Sequence, residues 1–126
     1  MQNSINAVVN EINSKCIEIV GDFQTLTFQA EVLSGDKLII TATTDVSYKT
    51  DFCIELEGVS YMSGHLTWHW DKERNNSAVE LVDIADYNLI MQDNCFLIKF
   101  NNVDLGIKNL ILMAQSIKFG TTCLSF

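Results

Sequence analysis

The feature that most constrains this chain is a change of hydrophobic period near residue 17. Before it, Ile5, Val8, Val9, Ile12 and Cys16 recur at the spacing of one helical face. After it, apolar residues fall at every second position. In "TLTFQAEVL", Leu26, Phe28, Ala30 and Val32 alternate with Thr25, Thr27, Gln29 and Glu31. A period of two places alternate side chains on opposite faces of a strand. The pattern predicts a single amphipathic helix over 1–16, capped by Asn3 or Ser4, followed by a β region over 17–126.

Further strands are expected in that region. Ser34-Gly35-Asp36 reads as a turn into "KLIITATTDV". "DFCIELEGVSYM" reads as one strand with Phe52, Ile54 and Leu56 on one face. "HLTWHW" and "SAVELVDI" flank the polar loop 71–76 as a folded-back pair, and "YNLIMQ" and "CFLIKF" flank a second tight turn at Asp93-Asn94. Residues 107–119 fit either period and are read as strand, because the preceding meander needs a closing partner. The expectation is a mainly β (α+β) single domain spanning 1–126. About eight antiparallel strands form a meander curled into a barrel or sandwich, with the N-terminal helix packed on it.

Composition then removes several functions. At 48% hydrophobic, 126 residues can bury a core, yet no apolar run approaches the roughly 20 residues of a membrane helix. Sixteen acidic residues stand against eight basic ones, for a formal net charge of −8. The basic residues are scattered, so the stripe that a phosphate backbone requires is missing. Neither nucleic acid nor membrane is expected as a partner. Without a basic segment ahead of an apolar stretch, the N-terminus does not read as a secretory signal, so a cytoplasmic location is expected. Cys16, Cys53, Cys95 and Cys123 form no C-x-x-C pair and sit among apolar neighbours, which reads as reduced, partly buried thiols.

The stretch "GHLTWHWDKER" is the densest in unusual residues. His65 and His69 have the four-residue spacing that lets two imidazoles share a metal on a helix. On a strand those positions lie roughly 13 Å apart, too far for zinc bonds of about 2 Å. The strand reading excludes the metal and puts Leu66, Trp68 and Trp70 on the opposite face. No nucleophile elbow, phosphate loop or dinucleotide fingerprint occurs, and carboxylates two apart on one strand do not flank a substrate as a glycosidase pair would. No cofactor and no catalysis are expected.

What remains is binding. Asp51, Glu55 and Glu57 share a strand face, Asp71, Glu73 and Arg74 lie in a polar loop, and Trp68 and Trp70 offer an aromatic anchor of the kind that dominates interfaces. In size, charge and β-rich make-up the chain resembles the immunity proteins that bacteria make against their own basic toxins. That likeness implies a small acidic module that occludes a basic protein, with those eight residues at the contact. The alternative is a small β-barrel binding an apolar small molecule. Self-association is compatible with either.

Overall fold

A computed structural model describes residues 2–21, 25–44, 50–104, 106 and 108–120, with side chains described from residue 4. The helix α1 spans Gln2–Val20, four residues beyond the expected end. The reason is visible in its buried stripe, Ile5, Val9, Ile12, Cys16 and Val20, which carries the helical spacing one turn further.

Nine strands follow among the described residues: β1 Leu26–Val32, β2 Leu38–Thr44, β3 Phe52–Glu57, β4 Tyr61–Ser63, β5 Thr67–Trp70, β6 Val79–Leu81, β7 Phe96–Phe100, β8 Leu110–Ala114 and β9 Ser116–Gly120. They form two antiparallel sheets, ordered β5-β1-β2-β3-β9 and β4-β8-β7-β6. The sheets do not close into a barrel, and their arrangement is compatible with a sandwich. The segment expected as one strand over 107–119 is extended, but as two strands in different sheets, Leu110–Ala114 and Ser116–Gly120, broken at Gln115; Ile107 lies outside the described residues.

The sheets are joined by a ladder that bends from one into the other. Glu57 pairs with Ser116 in the first sheet, and Tyr61 pairs with Met113 in the second. Between them, Gln115 N donates to Glu57 O and Ser60 N donates to Met113 O, each at 2.9 Å. Gly58 makes the bend with φ of 67°. A Cβ at that position would come within 2.6 Å of the Gln115 side chain, so the corner needs a residue without one. "DFCIELEGVSYM" is therefore two strands in two sheets, where a single strand was expected.

The expected hairpin over 64–83 is also corrected. Both halves are extended, but β5 pairs with β1 and β6 pairs with β7, so the chain crosses between sheets. "YNLIMQ" is not a strand either: a 3-10 turn at Ile84–Tyr87 leads into irregular chain. Val82, Ile84, Tyr87, Leu89 and Cys95 cover the outer apolar residues Leu97, Ile111 and Met113 of the second sheet. These residues satisfied the strand pattern because that sheet is apolar on both faces.

Alternation builds the main core. Leu26 and Phe28 of β1, Phe52, Ile54 and Leu56 of β3, and Ile98 and Phe100 of β7 are all buried in one cluster with the helix stripe. Phe28 stacks on Trp68 at 5.3 Å with 4° between planes. Trp68 meets Phe100 at 5.6 Å, so the aromatic contact spans the two sheets. Burial of each such ring stabilises the fold by about 1.5–3 kcal/mol.

Candidate functional site

The eight residues singled out from the sequence do not form one site. Trp68 and Trp70 are 1% and 0% exposed, which corrects their assignment as a partner-binding anchor. On β5 they face inward, and the rings fill the space between the sheets. Neither indole N–H finds an acceptor among the described residues; the rings are placed for packing.

The acidic residues of β3 are largely engaged within the molecule. Asp51 Oδ2 accepts from Thr44 N at 2.8 Å, which closes the end of β2. Lys37 Nζ lies 2.8 Å from Glu55 and 3.8 Å from Glu57. The hydrogen bond that Lys37 donates to Glu55 is the main reason its amine is held above its ordinary pKa; desolvation opposes it, and the charges of Glu55 and Glu57 add to it.

Asp71 and Arg74 form a clasp at the far end of β5. Arg74 N donates to Asp71 Oδ1 at 2.9 Å, its Nε donates to Asp71 Oδ2 at 2.8 Å, and Nη1 reaches Val103 O at 3.4 Å. Burial alone would lift the Asp71 carboxyl, but the hydrogen bonds and charge of Arg74 outweigh it and hold the group below its ordinary value. Glu73 is exposed beside this clasp. Asp51 and Asp71 lie toward the same end of the sheet, but β1 and β2 separate their strands, a spacing of roughly 14 Å.

His69 lies on the outer face of β5 and is hydrogen-bonded through Nδ1 to Asp104 Oδ2 at 2.6 Å, while His65 is exposed ahead of the strand. Among the described residues, no group of three or more His, Cys, Asp or Glu is placed to hold a metal. Cys16 and Cys95 are free, and Cys16 is buried. Cys53 is disulfide-bonded, against the expectation of a reduced thiol; Cys123 lies outside the described residues. Among the described residues, no helix is long and apolar enough to cross a membrane.

The surface feature that sequence reasoning missed lies around β4. One hollow of about 240 Å³ is lined by Val32, Asp36, Lys37, Leu38, Val59, Tyr61 and Met62. A second, of about 430 Å³, is lined by Ile90, Met91, Asp93 and Cys95, and the two share Ser60. The signal was present as short apolar runs inside polar loops, above all Leu89-Ile90-Met91 between Asn88 and Gln92. It was absorbed into a strand that does not form.

Fold and surface together define a helix-capped antiparallel β protein with a filled core and an apolar hollow edged by Asp36 and Lys37. The chain matches no protein-family model, no curated protein and no solved structure.

Proposed function

We propose that this chain is a non-catalytic protein-binding module that occludes a basic partner, in the manner of an immunity or inhibitor protein. The supporting observation is the distribution of charge. Lys15, Lys37, Arg74 and Lys99 are held in ion pairs with acidic side chains of the same chain. Glu31, Asp36, Glu73, Asp86 and Asp93 are exposed, with no ion pair among the described residues. Lys108 and Lys118 are exposed as well, so the field is mixed locally but acidic in excess, and a net field of that sign steers an oppositely charged partner and rejects like-charged ones.

The alternative, a barrel holding an apolar small molecule, is weaker. Phe28, Phe52, Trp68, Trp70 and Phe100 occupy the space in which such a ligand would sit. As for location, the disulfide at Cys53 favours an oxidising compartment over the cytoplasm, so both fractions of the source cell belong in the search.

Affinity capture followed by titration at low and high salt tests this reading. The expected result is one dominant basic protein whose Kd rises with ionic strength. A neutral or acidic partner with salt-independent affinity would overturn it, and so would a small molecule retained in native mass spectrometry.

A further inference from the structure

Among the described residues, six large apolar side chains are exposed: Ile17, Val32, Met62, Leu66, Ile90 and Met91. Ile17 stands apart on the helix. Val32 and Met62 line the first hollow beside β4, and Ile90 and Met91 line the second. Leu66, whose carbonyl accepts from Ala30 N at 2.7 Å, occupies the inward position next to that of Val32. Contiguous apolar surface of this kind marks interaction sites.

Val32 and Met62 belong by pattern to the interior. Val32 continues the inward row Leu26, Phe28, Ala30, and Met62 pairs with the buried Leu112. They are uncovered because β4 pairs with β8 alone. Elsewhere the sheet margins are covered: His69 O of β5 accepts from Val103 N at 3.0 Å, Val79 of β6 is bonded by Asn13, and α1 packs along β9. The margin at β4 is where the inward row of the fold meets solvent.

We propose that the hollow between Val32 and Met62 seats one large apolar or aromatic side chain of an extended segment from a basic protein, with a flanking lysine or arginine residue against Asp36. The proposal rests on the reading of the chain as a binder of basic proteins. A cavity of about 150 Å³ already holds a benzene ring, so 240 Å³ accommodates a phenyl group. Both hollows carry an exposed carboxylate, Asp36 in one and Asp93 in the other; Lys37 also lines the first, but its charge is met by Glu55 and Glu57. A second copy of this chain would bring the same carboxylates, and a net charge of −8, against themselves, and an anionic lipid surface would be repelled in the same way. The charge selects a cationic partner.

The test uses a fluorescein-labelled heptapeptide, Lys-Gly-Lys-Phe-Lys-Gly-Lys, and its counterpart with glycine in place of phenylalanine. Binding is followed by fluorescence anisotropy at low salt, with far-UV circular dichroism to confirm folding of each variant. The phenylalanine peptide is expected to bind about tenfold tighter than its counterpart, with amide shifts in two-dimensional NMR centred on residues 59–62. Asp36→Lys and Val32→Asp are each expected to weaken it about tenfold. Glu11→Lys, at an exposed position of the helix, changes the net charge as much as Asp36→Lys does, and it should leave binding within about twofold. Val32→Asp is decisive in sign, because general attraction to an acidic protein would strengthen with the added carboxylate. Equal affinity of the two peptides, with equal effects of Asp36→Lys and Glu11→Lys, would overturn the hollow and leave the acidic binder standing. No binding of either peptide would count against both.

Discussion

Asn13 and Val79 are joined as two strands would be. The Asn13 Nδ2 donates to Val79 O at 2.8 Å, and its Oδ1 accepts from Val79 N at 3.0 Å and from Ala78 N at 2.9 Å. The helix thus supplies, from one side chain, the partner that the outer margin of β6 lacks. An unpaired margin invites pairing with another chain, and this contact also fixes the helix against the second sheet.

Asn13→Ala would leave two amides and a carbonyl without protein partners. With partial burial, the expected loss is about 2–3 kcal/mol. Urea unfolding with an unchanged m-value checks it. The variant should also aggregate more readily at high concentration, as dynamic light scattering would read.

Trp68 offers a direct comparison between a core role and a contact role. As a fully buried ring stacked on Phe28 and touching Phe100, it should cost about 3–5 kcal/mol when replaced by alanine. The intrinsic emission of the native protein should be blue-shifted and resist quenching by acrylamide. Red-shifted, readily quenched emission would place the indoles at the surface.

Burial pushes the Cys16 thiol up from 9.0 to about 12. The folded state then holds its proton where the unfolded chain has lost it. The contribution is fully present below pH 9 and is lost as pH rises toward 12. Urea midpoints between pH 8 and 11 should fall more steeply for the native chain than for Cys16→Ala. Maleimide labelling under native conditions, read by mass spectrometry, should modify the partly exposed Cys95 and leave Cys16 intact.

Gly64 lies just after β4 with φ of 124°, and a Cβ there would fall 2.3 Å from Asn109 O. Backbone must shift to admit it. Gly64→Ala is expected to cost at least about 2 kcal/mol, measured by thermal or urea unfolding. Because this glycine follows Met62 so closely, the variant should weaken peptide binding at the hollow as well.

Local periodicity made the helix and most strands legible. Ile5, Val9, Ile12 and Cys16 announced one face of α1, and the inward residues of β1 and β3 were identified one by one. The same signal failed where its cause is not local. In Tyr87–Gln92 a strand-like apolar run forms no strand: Tyr87 and Leu89 pack over Leu97 and Met113 while Ile90 and Met91 stay exposed, because covering an apolar sheet face rewards hydrophobicity in any conformation. Of the candidate contact residues, the exposed Glu73 was legible as a surface group. Trp68 and Trp70 were legible as apolar-facing and were misassigned only because strand pattern does not distinguish a covered face from an open one.

By itself the sequence determined which residues point the same way: alternation is written in consecutive positions and depends on backbone geometry alone. Tertiary structure decided which of those rows is covered. Phe28 and Val32 belong to one inward row of one strand, yet the first is fully buried and the second is 51% exposed. Their difference comes from β4, some thirty residues away in the chain, which has no strand along its outer margin. Burial is fixed by what lies opposite in space, and that is set by how distant segments pair.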